Sequence, residues 1–292
     1  MHASVILASA LGAAVLAAPV FPDLNMDAAM PHDISIVTDY FNMLAQKVQE
    51  SRLMSTAPVC DLSRAQLPKD SESHPRRPPK DIPRASPLTR PFPSVAPNSL
   101  PPPAEGFALK HVAVGRGTQN YTCDLANSTA VPKAVGAVAT LFNASCVAAT
   151  YPDLAKLLPR VAMRFNLTHP ELPRMAPSNL AISGRHWFTA AGIPFFDLDT
   201  PAQSLGAAGC AKNASQPAPA DAQPGQKGEP AVPWLKLTTK EGATGNLQEV
   251  FRVETVGGSA PASCKGMPAA FEVQYSAQYV PQRPPPTRGF LL

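Results

Sequence analysis

At 292 residues the chain has room for one large domain or two ordinary ones, but 35 prolines, many of them clustered, keep much of it out of any core. The formal charge is +4, and residues 69–100 hold six cations against three anions, leaving only +1 for the remainder. A near-neutral folded part excludes the broad basic surface of a nucleic-acid binder, so no nucleic-acid partner is expected.

Val5–Leu16 is an apolar run followed by small residues, which reads as a secretory signal peptide over residues 1–17, cleaved after Ala17. Pro19 and Asp23 end the run short of the roughly 20 apolar residues that span a bilayer, so no membrane association is expected after cleavage. Five N-x-S/T sequons, at Asn120, Asn127, Asn143, Asn166 and Asn213, agree with export to the cell exterior or cell wall.

Residues 33–57 read as an amphipathic helix capped by Asp33, with Ile36, Val37, Tyr40, Phe41, Leu44 and Val48 on its apolar stripe. Core packing and partner binding both suit such a stripe. Residues 58–103 hold thirteen prolines and little apolar periodicity, the pattern of a linker or insertion. A β-rich domain is expected over 104–280, and a disordered tail over 281–292.

Within that domain, short apolar runs punctuated by turn residues place strands at 108–114, 119–123, 134–142, 185–189, 194–198, 234–239, 249–256 and 271–279. Gly115-Arg116-Gly117 reads as a turn between the first two. Residues 151–165 look helical, with Pro159 as a potential break, and 206–230 read as a loop. The fold class implied is mainly β, a β-sandwich or open β-barrel with one or two accessory helices.

Cysteines at 60, 123, 146, 210 and 264 are widely spaced and lack zinc-ligand spacing, so in an oxidising compartment they read as disulfides. Cys210 lies in a Gly/Ala-rich stretch and is the expected free thiol, and the other four allow three connectivities.

The run Leu109-Lys110-His111-Val112-Ala113-Val114-Gly115-Arg116-Gly117-Thr118-Gln119-Asn120-Tyr121-Thr122-Cys123 resembles the signature of a family of secreted fungal proteins with shorter bacterial relatives, catalogued as a domain of unknown function. Gly184–Phe188, Pro194–Leu198, Val232–Leu237 and Val250–Val253 through Gly257-Gly258 are similar to its later motifs. The resemblance implies a β-rich extracellular protein, and it implies Cys123–Cys264 as the bridge of the shared core. Cys60–Cys146 would then pin the N-terminal helix. The chain departs from the family at residues 69–100, which look like an insertion, and again after Tyr279. Fungal members are often labelled malate dehydrogenase. The residues argue otherwise, because Gly115-Arg116-Gly117-Thr118-Gln119-Asn120 lacks the third glycine and runs into strand-like sequence rather than a helix.

For chemistry, the polar residues that stand out are His111, His186, Asp197 and Asp199. The two aspartates, two apart on a strand, would share a face and divide acid and base roles or hold a metal with a histidine. Equally, they would solvate a strand end. Trp187, Tyr121 and Arg185 are candidates for ligand binding, with Phe188 beside them, since aromatic rings pack on the C–H faces of sugars. Trp234 reads as core, and Arg116 and Arg185 each follow a glycine, where they would bind an anion or cap a loop. There is no G-x-S-x-G, H-E-x-x-H or phosphate loop, so no cofactor and no metal are expected. Two readings remain: an extracellular or cell-wall protein that binds polysaccharide without catalysis, and a secreted hydrolase or metal-dependent enzyme using His111, His186, Asp197 and Asp199.

Overall fold

A computed structural model describes residues 31–54, 60–68, 100–165 and 174–284. The expected signal peptide, residues 69–99, Asn166 and residues 285–292 lie outside the described residues. Helix α1 spans Pro31–Leu53, and a short 3-10 turn follows at Leu62–Arg64. The strands are β1 Ala108–Leu109, β2 Ala113–Thr122, β3 Lys133–Asn143, β4 Arg174–Met175, β5 Leu180–Phe188, β6 Pro194–Thr200, β7 Gln203–Gln216, β8 Trp234–Thr239, β9 Glu249–Gly257 and β10 Ala270–Arg283. Helices α2, Ser145–Thr150, and α3, Pro152–Ala162, sit between β3 and β4.

Eight strands, β2, β3 and β5 through β10, form a closed antiparallel barrel in which each strand pairs with its neighbours in sequence. Of the two architectures the sequence left open, the barrel is therefore the one formed, and it is closed rather than open. Closure follows from the length of β10. Its residues Ala270–Tyr279 pair with β2, and Tyr275–Gln282 pair with β9. That offset supplies the stagger a closed barrel needs, and leaves no long free edge.

Several boundaries differ from the sequence reading. Gly115-Arg116-Gly117 is not a turn but the middle of β2, paired on both sides. Its glycines are required by close approach. A Cβ at Gly115 would stand 2.4 Å from the Tyr279 ring, and one at Gly117 would stand 1.9 Å from the Val138 carbonyl oxygen. The expected loop over 206–230 begins with a strand, because β7 is held on one edge by β6 and on the other by β8. The tail expected from residue 281 is strand through Arg283, with Val280 and Gln282 fully buried. The proline-rich segment is likewise ordered at both ends. Residues 60–68 bury Ala65, and the Leu100 amide donates to Gln216. Pro159 does not break α3, which continues to Ala162.

Two apolar cores result. Inside the barrel, Ala113, Leu141, Phe196, Leu198, Ala208, Tyr275, Ala277 and Tyr279 interdigitate. Outside it, α3 lays Leu154, Leu158 and Val161 onto β2, β9 and β10, where Val114, Phe251, Val253 and Val280 receive them. Helix α1 packs on α3 through buried Tyr40 and half-buried Ile36, Met43 and Leu44. Its apolar stripe is narrower than expected, since Phe41 and Val48 are exposed.

Two disulfides complete the frame, Cys60–Cys146 and Cys123–Cys264, the pairs expected. The first ties the segment after α1 to α2, and the second ties the end of β2 to the loop before β10. No helix among the described residues is long and apolar enough to cross a membrane.

Candidate functional site

The four residues considered for catalysis do not form one site. His111 is buried, with Nδ1 2.8 Å from Ser145 Oγ and Nε2 2.9 Å from Ser183 Oγ. Ser145 Oγ also accepts from the Val112 amide, so this Ser–His–Ser chain knits α2 to β2 and β5 and has no exposed nucleophile. His186 points into the barrel instead, stacked on Phe196 at 4.2 Å and 5.6 Å from the Tyr279 ring. Its Nδ1 lies 2.9 Å from the Phe195 carbonyl oxygen, which fixes that nitrogen as the N–H donor. Burial pushes both histidines down to about 4, so each is neutral near pH 7.

The aspartates keep their shared outward face, since Phe196 and Leu198 both turn into the barrel and the register shift opposite them takes up its extra residue on β7. Asp197 Oδ1 accepts from the Asp199 amide, at 3.1 Å. Asp199 Oδ1 accepts from the Gly206 amide at 2.7 Å and the Ser204 hydroxyl at 2.9 Å, and these bonds lower its pKa. Both carboxylates therefore organise the β6–β7 turn. Among the described residues no group of three or more His, Cys, Asp or Glu is placed to hold a metal.

Of the ligand candidates, Tyr121 is core. Its hydroxyl donates to the Gly258 carbonyl and its ring stacks on Phe271. Trp234 is buried too. Arg116 caps rather than binds. Its Nε donates to the Ala162 carbonyl and its Nη2 to that of Phe165, at the end of α3, while Nη1 donates to the Gly117 and Tyr275 carbonyls. Cys210 is a free thiol buried inside the barrel, where desolvation pushes its pKa up to about 12.

Trp187 and Arg185 do reach the outer wall. Cross-strand pairing sets Val138, Trp187 and Phe195 in one row across β3, β5 and β6, with Gly209 of β7 as the next partner. Trp187 lies 4.9 Å from the Phe195 ring, tilted by 41°. Val138 is 55% exposed, unusual for a large aliphatic in a paired strand. Two residues along, on the same face, Thr140, Arg185 and Asp197 form a parallel polar row. Arg185 is exposed and forms no ion pair among the described residues.

A second cluster, inside the barrel, was missed by sequence reasoning. The Tyr275 and Tyr279 hydroxyls share a 2.8 Å hydrogen bond, and both side chains are fully buried. Burial raises both phenols, while the nearby Arg252 charge opposes the rise. Gln119 faces Tyr275 from β2. Arg252 is the paired neighbour of Tyr279 on β9, and its Nη2 donates to the Pro233 carbonyl. The signal that would have found this cluster is a charged residue on the inward parity of an otherwise apolar strand, Val250-Phe251-Arg252-Val253.

A family model described as protein of unknown function (DUF3455) matches residues 103–281. The chain belongs to that family. The DUF3455 match begins just before β1 and ends inside β10, so it takes in every barrel strand and leaves out α1 and the Cys60 segment. No curated protein and no solved structure was found to match. Within the DUF3455 barrel all strand pairs are antiparallel, and the Gly115-Arg116-Gly117 run lies mid-strand. The dinucleotide-binding geometry, a glycine turn opening a helix after a parallel strand, is not what these glycines build.

Proposed function

We propose that the chain is an exported, non-catalytic binding protein that holds a cell-wall polysaccharide on the outer wall formed by β3, β5 and β6. The observation that carries this reading is the pair of rows there. One is apolar, Val138–Trp187–Phe195, and the other is polar, Thr140–Arg185–Asp197. A sugar ring presents an apolar C–H face and an equatorial rim of hydroxyls. Tryptophan on a flat strand meets the first and a neighbouring arginine and carboxylate meet the second. Export is supported by two disulfides, which persist in oxidising compartments, and by sequon residues Asn127 and Asn213, both exposed.

The test is sedimentation of the purified protein with insoluble chitin, β-1,3-glucan, cellulose and xylan. Retention on at least one polymer is expected, with loss in Trp187→Ala and weakening in Phe195→Ala. Leu125→Ala, at an exposed residue in the turn after β2, is expected to retain the polymer fully. Absence of retention on all four, or unchanged retention by Trp187→Ala, would defeat the reading.

A further inference from the structure

The two disulfides stand in opposite surroundings. Cys123 is half-buried and Cys264 buried, and both lie inside the DUF3455 match. Backbone bonds hold each end in place, with the Cys123 amide donating to the Ala269 carbonyl and the Cys264 amide to that of Ala130. Cys60 and Cys146, by contrast, are both exposed, and Cys60 lies in the segment that the family match leaves out. Thiol–disulfide exchange needs a thiolate to reach one of the sulfurs, so exposure makes Cys60–Cys146 the more reducible bridge.

Its two ends are unequally anchored. Cys146 sits on α2, which is fixed on either side of it. Ser145 Oγ lies 2.8 Å from His111 Nδ1 and accepts from the Val112 amide, and Ala148 and Ala149 are buried. Cys60 follows α1, whose hold on the rest is slight. Tyr40 is the single buried side chain among the described residues of α1. Ile36, Met43 and Leu44 are half-buried, and Ile34, Phe41, Val48 and Leu53 are exposed. Packing of an apolar face, more than propensity, keeps a helix in place in water, and this one leaves much of that face uncovered. Beyond Cys60, Leu62, Ala65 and Leu67 add a small apolar contact. A released arm would stay tethered to the barrel through residues 69–99.

We infer that Cys60–Cys146 is a reducible latch, opened by a low-molecular-weight thiol while Cys123–Cys264 stays closed, and that opening frees α1 and residues 60–68 from α2 and α3. A thiolate attacks one of the two exposed sulfurs, the S–S bond breaks, and the other cysteine leaves as a thiolate that takes up a proton. A second thiol then resolves the mixed disulfide. Two electrons and two protons pass to the protein, so Cys60 and Cys146 end as thiols and the reductant ends as its own disulfide. The departing arm uncovers the α3 surface on which Tyr40 packs, and the tether returns Cys60 to Cys146 on reoxidation. The barrel keeps its own core and its own bridge, so the latch does not rest on polysaccharide binding.

The test titrates the full chain with reduced against oxidised glutathione, traps free thiols with iodoacetamide for mass mapping, and records hydrogen exchange on parallel samples. Cys60 and Cys146 are expected to label at a reduced-to-oxidised ratio roughly tenfold or more below that needed for Cys123 and Cys264. Cys210, buried inside the barrel, stays unlabelled and reports that the barrel remains folded. Over the same range exchange rises in α1 and residues 60–68, matches the pattern of the Cys60→Ser/Cys146→Ser double variant, and falls back when oxidised glutathione is restored. Opening of both bridges together, labelling of Cys210 alongside Cys60, unchanged exchange in α1 once Cys60 and Cys146 are free, or no recovery on reoxidation would each overturn the latch.

Discussion

Acid sensitivity above the carboxylate range tests the two buried histidines. His111 and His186 are held at about 4, against an ordinary value near 6.5, by desolvation, and Arg252 pushes His186 in the same direction. Between those values the unfolded chain binds protons that the folded chain refuses. Stability is therefore complete above pH 6.5, falls as pH drops, and is fully lost in this contribution below 4. Each histidine accounts for about 3 kcal/mol across the full range, of which about 2 kcal/mol falls between pH 7 and 5. Ordinary carboxylates stay largely ionised across that interval, so the change belongs to the histidines. Together they predict a loss of about 4 kcal/mol, or a Tm lower by about 8–16 °C at pH 5 than at pH 7. Urea unfolding at the two pH values measures it directly. His111→Gln and His186→Gln should each remove about half of the pH dependence, whatever each does to stability at pH 7. An unchanged pH dependence in both variants would refute the argument that burial keeps these rings neutral.

Arg116→Met leaves the Ala162, Phe165, Gly117 and Tyr275 carbonyls without their donor and should cost about 3–5 kcal/mol in urea unfolding, with Arg116→Lys intermediate. Replacing Cys60 and Cys146 together by serine opens a loop of 86 residues and should cost up to about 4.6 kcal/mol, with hydrogen exchange increasing first in α1 and residues 60–68. Glycopeptide mapping of the protein produced through a eukaryotic secretory pathway should find Asn127 and Asn213 occupied. Asn143 should be bare, because its Oδ1 accepts from the Ser145 amide and Ser145 is itself buried against His111.

The strands most legible in the sequence were those whose side chains alternate strongly. Trp234–Thr239 was read to the residue, and β9 and β10 nearly so at their starts. Strand β7 was invisible because it is built from Gly, Ala and Ser, residues of low intrinsic strand preference. Its strand character comes from β6 and β8 pairing along both its edges. Its small inward residues, Ala208 and Cys210, leave space for Phe196 and the rings beside it. The aspartate pair failed as a site for a different reason. Period-two alternation put Asp197 and Asp199 on one outward face, where they are, but both carboxylates are taken up by amides and a hydroxyl of the β6–β7 turn while His186 points into the barrel.

Local chemistry alone was enough to specify the β-rich class and which cysteine stays unpaired, because alternation and cysteine spacing act within a few residues or through simple counting. What the tertiary structure decided was closure, and with closure the inside and outside of every strand. Tyr275 and Tyr279 alternate onto one face of β10, but Gln119 and Arg252 lie far from them in sequence, and the four are spread over more than 150 residues. They meet because β10 is long enough to hydrogen-bond both β2 and β9, which turns one face of a meander into an enclosed interior and places a lone guanidinium within it.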